Sequence, residues 1–154
     1  MMLLLLLAVA MPREVAKPAP PPPPPPPAQI DGLPIGGLPR QALPATGCAA
    51  YLWSATQTRT LMAMVSADDR RLRISLDGAI VDLPRVRESG ASAFGLSQSA
   101  DYAVAGTRAT LDLTIETRGD LVKGGVVSDG SLRLDRDGKD GLVLPVTGLV
   151  GCAG

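Results

Sequence analysis

The chain contains no histidine, two cysteines and only four aromatic residues in 154 positions. Without imidazole there is no Ser-His-Asp triad, no Cys-His dyad, no imidazole general base and no His-ligated zinc. Tyr51, Trp53, Phe94 and Tyr102 are too few for a base-stacking platform. The 15 basic residues are balanced by 15 acidic ones and scattered among them, which excludes the concentrated basic surface that nucleic acid requires. No apolar run approaches the roughly 20 residues that cross hydrocarbon, so a stable membrane span is not expected.

What is present is unevenly placed. Ten of the fifteen prolines fall between Pro12 and Pro27, and only Pro84 and Pro145 lie beyond Cys48. The apolar run Met2 to Met11 is short, carries Ala8-Val9-Ala10 near its end and is followed by Pro12 and Arg13. That length and small-residue ending fit a signal peptide over residues 1–10, although no Lys or Arg precedes the leucines. The eight consecutive prolines Pro20 to Pro27 cannot donate ladder hydrogen bonds and favour polyproline II. With the Gly and Pro residues that follow, they predict a disordered proline-rich linker over 11–47 and one domain over 48–154. Leu43-Pro44-Ala45-Thr46-Gly47 has the form of a sortase signal, but a whole domain follows it. Ala45-Thr46-Gly47-Cys48 loosely resembles a lipobox, which would place a lipid on Cys48, but it lies far from the apolar run.

Cys48 and Cys152 bound the proposed domain. Two distant thiols without histidine make neither a Cys-x-x-Cys redox pair nor a zinc site. In an oxidising compartment they are expected to form a disulfide between the first and last strands, which places the protein outside the cytoplasm, in the periplasm or cell envelope.

Beyond Cys48 the apolar period is two. Leu72, Ile74 and Leu76 alternate with polar residues, as do Leu111, Leu113 and Ile115, and Leu132 with Leu134. One apolar and one wet face is the pattern of antiparallel sheets. Asp77-Gly78, Asp129-Gly130 and Asp137-Gly138 mark turns. The fold class is all-β, a small antiparallel barrel or sandwich of about eight strands. These are expected at 49–54, 59–66, 71–76, 79–83, 92–96, 109–116, 131–135 and 142–150, the last more deeply buried because Leu142 to Val146 is apolar throughout. The acidic run 135–141 fails calcium-loop spacing and reads as a hairpin tip. Arg59, Arg70, Arg71 and Arg73 lie near Asp68, Asp69, Asp77 and Asp82, as expected for cross-strand charge pairs on a wet face. No catalytic residue, metal site or cofactor is assigned. A carboxylate-dependent hydrolase would need two acids meeting in space, and nothing in the order of residues singles out a pair.

The order of Cys48, Leu83-Pro84-Arg85-Val86, Ser89-Gly90-Ala91 and Gly106-Thr107-Arg108-Ala109-Thr110-Leu111 resembles the membrane-bound inhibitors of c-type lysozyme (the MliC family). The resemblance covers roughly residues 48 to 113. It implies an exported, disulfide-clasped β-barrel that offers a Ser-Gly loop and a cation to the lysozyme cleft. Ser89, Gly90 and Arg108 would be the partner-binding residues. Ala93 stands where that family has tyrosine, with Phe94 one position later, and Ala105 stands where it has lysine. The expectation from the sequence is therefore a non-enzymatic binding or structural domain of the cell envelope. Inhibition of lysozyme is the alternative and carboxylate-dependent hydrolysis comes last.

Overall fold

A computed structural model describes residues 18–154, so the expected export signal over 1–10 lies outside the described residues. The strands are β1 (Ile35–Gly36), β2 (Cys48–Ser54), β3 (Leu61–Ser66), β4 (Arg71–Leu76), β5 (Ala79–Ala93), β6 (Leu96–Val104), β7 (Thr107–Glu116), β8 (Gly124–Arg136) and β9 (Leu142–Cys152). Strands β2 to β9 close an antiparallel barrel. Neighbouring order runs β4-β3-β2-β9-β8-β7-β6-β5, and β5 returns to β4. The short β1 pairs with the end of β4, Ile35 opposite Leu76.

Eight strands enclose a space just wide enough for side chains. Here it is filled by inward residues such as Leu52, Leu72, Ile74, Leu83, Leu111, Leu132 and Leu134, all at most 1% exposed, interleaved with Ala50, Ala63, Ala100 and Ala109. Cys48 sits opposite Cys152 where β2 meets β9, and their sulfurs are bonded. The sulfur of Cys48 is therefore engaged, which removes the lipobox reading.

The two barrel ends close differently. At the end carrying the Asp77-Gly78 hairpin, Ile30 and Ile35 are both 0% exposed and belong to the core. Pro34 C=O accepts from the Asp77 N–H at 2.7 Å, and the Thr58 hydroxyl donates to Asp31 at 2.7 Å. From there residues 38–47 cross the outside of β3 and β2 toward the disulfide. Leu38 N–H donates to Leu61 C=O at 2.6 Å, and the Tyr51 hydroxyl donates to Ala42 C=O at 2.7 Å. The proline run is exposed, whereas within 28–47, expected as linker, Ile30 and residues 35–38 are buried against the barrel and most of residues 39–47 are exposed. At the opposite end Phe94 folds inward against β8, where a Cβ on Gly125 would lie 2.7 Å from its ring.

Most expected strands are present, but β5 runs on to Ala93 and β8 begins at Gly124, which puts Asp129-Gly130 inside a strand rather than at a turn, and three further differences stand out. Residues 92–96 are not a strand but a hairpin, with Phe94 and Gly95 both at positive φ (57° and 74°). That conformation matches the right-handed twist of the two flanking strands. The strand β6 was not expected, because its inward positions include Ala100 and Tyr102 rather than a run of Leu or Val. Finally, 142–146 is half-buried. Leu144 and Val146 point in, but Val143 is 60% exposed because it lies on the outer barrel surface.

Candidate functional site

Ser89 and Gly90 form no turn between strands; they make a β-bulge inside β5. Ser89 pairs with Ser99 and Ser92 with Ser97, so three steps on β5 face two on β6. Gly90 has φ of 83°, and a Cβ there would come within 2.8 Å of the Gln98 side chain. Glycine is required on both counts. A bulge bends its strand, and the end of the β5–β6 hairpin beyond it leans over the barrel end to seat Phe94.

That bend opens a seam. β6 and β7 pair only from Ser99 opposite Asp112 to Val104 opposite Thr107. Leu113–Glu116 of β7 pair with β8 alone. Between the separated strands lies a cleft of about 200 Å³, lined by Ala91, Ser92 and Ala93 from β5, Leu96 and Gln98 from β6, and Leu113, Thr114 and Ile115 from β7. Its floor is apolar and its rim polar.

Arg108 is elsewhere. It lies four residues along β7 from Asp112 and two strands from β5, about 14 Å along and about 10 Å across from Ser89 by strand geometry. It borders a separate open depression formed by the β6–β7 and β8–β9 ends. Asp101 nearby is held below the ordinary carboxylate range, first by the Thr110 hydroxyl, then by Arg87, with a smaller contribution from Arg108. Asp135 is lowered mainly by Arg133, and Arg108 adds to this. The structure thus keeps Ser89 with Gly90 and separates both from Arg108.

Arg85 turns inward although nothing in its charged sequence context marks it. It shares inward parity with Leu83, and its side chain is only 8% exposed, with Nη1 2.7 Å from a Glu88 carboxylate oxygen. That oxygen also accepts from the Ser97 hydroxyl at 2.8 Å. A buried guanidinium needs such a partner, and the pair ties the bulged strand to β6. Tyr102 faces Arg85 across the ladder. Burial pushes its phenol up to about 12; Arg85 partly offsets this, and Glu88 adds to it. The fold therefore favours the neutral phenol. The associated stability, about 2–3 kcal/mol, is full below pH about 10 and is lost as pH rises to about 12. Burial also raises the Tyr51 phenol, so tyrosinate absorbance should show two late groups, and Tyr102→Phe should abolish the one near 12 together with its share of the alkaline loss.

The outer face carries the charge pairs expected of a wet sheet. Arg73 is bidentate to Asp82 at 2.7 and 2.9 Å, from positions directly opposite in the β4–β5 ladder. This contact lowers the Asp82 carboxyl and raises the guanidinium of Arg73. Among the described residues no helix is long and apolar enough to cross a membrane, and no three His, Cys, Asp or Glu side chains converge as a metal site. Compared with protein-family models, curated proteins and solved structures, the chain matches none.

Proposed function

We propose that this chain is a non-enzymatic binding protein of the bacterial cell envelope, exported by residues 1–10 and presenting the cleft beside the Ser89–Gly90 bulge to a protein partner. The observation that carries this reading is the opened β6–β7 seam. The barrel interior is filled with side chains, whereas the seam is an apolar concavity with a polar rim, as binding sites commonly are. The disulfide is consistent with an oxidising compartment. The exposed prolines 20–27 then act as a semi-rigid spacer of about 25 Å.

Two measurements test it. Intact mass of the protein from the envelope fraction, with and without reductant, should show a chain beginning at Met11 and a difference of two hydrogen atoms at the cysteines. A photo-crosslinker at Ser92 in living cells should give a discrete adduct that one at Asp140, at the far barrel end, does not. Cytoplasmic protein with free thiols and no Ser92-specific adduct would discard the reading.

The closed eight-stranded barrel with its terminal clasp favours a second reading, inhibition of c-type lysozyme, because that family is expected to share this scaffold. Ser89 is exposed on the bulge and would supply the hydroxyl, while Arg108, about 17 Å off by the same strand geometry, would have to meet a different part of the enzyme. The purified domain should slow lysozyme at tens of micromolar, and Ser89→Ala should weaken it more than Arg108→Ala. Absence of slowing removes this alternative.

A further inference from the structure

The geometry points to strand addition at the β6–β7 seam: the cleft takes an extended peptide segment of a partner protein, with basic and apolar residues alternating. This rests on the cleft being the recognition surface. Every second residue of an antiparallel strand turns its N–H and C=O to the same side. Over Leu113–Glu116 that side faces the seam, where β6 has left the ladder. Such an edge is a template for an added strand.

The flanking side chains specify what is added. Leu113 and Ile115 face the core side, while Asp112, Thr114 and Glu116 are exposed on the outer face. Asp129 lies directly opposite Thr114 on β8. None of Asp112, Glu116 and Asp129 forms an ion pair with a described residue, although seven ion pairs occupy other parts of the surface. A strand laid beside β7 would place its outward side chains next to these acids, where cations are favoured. Its inward side chains would enter the space between Ala91, Ala93, Leu96 and Ile115, which admits small apolar groups.

The test uses the whole chain, isotope-labelled, titrated with a short capped peptide alternating lysine and valine. Amide shifts should concentrate at Leu113–Glu116 and Ala91–Ala93, with Kd on the order of 10 to 100 µM. Asp112→Asn with Glu116→Gln should weaken binding about tenfold, as loss of two charge contacts implies. The same peptide with alternate amides N-methylated keeps its charge but loses its donors, and should not bind. Equal binding of the methylated peptide, equal binding of a glutamate–valine peptide, or no binding at millimolar peptide would each overturn strand addition. Concentration-dependent shifts at the seam without peptide would assign it to a second copy of the chain instead. A Ser92 adduct in cells together with peptide failure would leave the binding reading standing and remove only this one.

Discussion

Replacing Cys48 and Cys152 together by alanine is expected to lower the unfolding free energy by about 3–5 kcal/mol. The bond joins residues 104 apart in sequence, so its main effect is on the unfolded chain, which it holds in a long loop. It also sits where β2 meets β9, the junction of the barrel's first and last closing strands. Seven register pairs from Cys48–Cys152 to Ser54–Val146 remain there without it. The variant should therefore fold to the same barrel, with far less reserve, because small domains hold only about 5–15 kcal/mol in total. Denaturant unfolding of oxidised protein, reduced protein and the double variant measures this directly. Reduced and double-variant midpoints should agree, and coincidence of all three curves would refute a stapling role.

The alternation of Leu72, Ile74 and Leu76, and of Leu111, Leu113 and Ile115, made the barrel strands legible because each pairs one wet face with one filled interior. β6 escaped notice because Ala100 and Tyr102 fill the interior at its inward positions, and small residues carry weak periodicity. The first half of β8 escaped because Gly124 and Gly125 allow close approach, by Val150 C=O in one case and the Phe94 ring in the other. At the site, Ser89-Gly90 was recognisable as a backbone feature, but its effect was not. A bulge adds one residue to one strand, and only the partner's register reveals the bend and the seam it opens. Arg108 belonged with Ser89 only through the family resemblance, since strand register keeps them apart. The inward turn of Arg85 was encoded by its parity with Leu83, yet a lone arginine in a charged segment gives no reason to look inward.

The second large effect is expected at the N-terminal plug. Ile30 and Ile35 are fully buried, and Leu38 is 4% exposed, although composition alone places them in a Gly- and Pro-rich connector. Prolines and glycines obscure the signal, because the segment buries isolated side chains without any strand or helix period. Each Ile→Ala change should cost about 2–5 kcal/mol, from lost burial and the cavity left over Leu76 and its neighbours. The double variant approaches the whole stability of a domain this size. Removing residues 1–47 should be at least as damaging. It strips β1 from β4 and uncovers Tyr51, which is only 9% exposed under the crossing segment. Replacing Pro20 to Pro24 by serine should change stability by less than about 0.5 kcal/mol, as expected for exposed positions away from any packing. Thermal unfolding of these variants locates the start of the cooperative unit. A fragment beginning at Cys48 that melts with the full chain would return the whole N-terminal segment to the role of tether. Loss of cooperative melting in that fragment, with the proline variants unchanged, would place the start of the unit between Pro24 and Cys48.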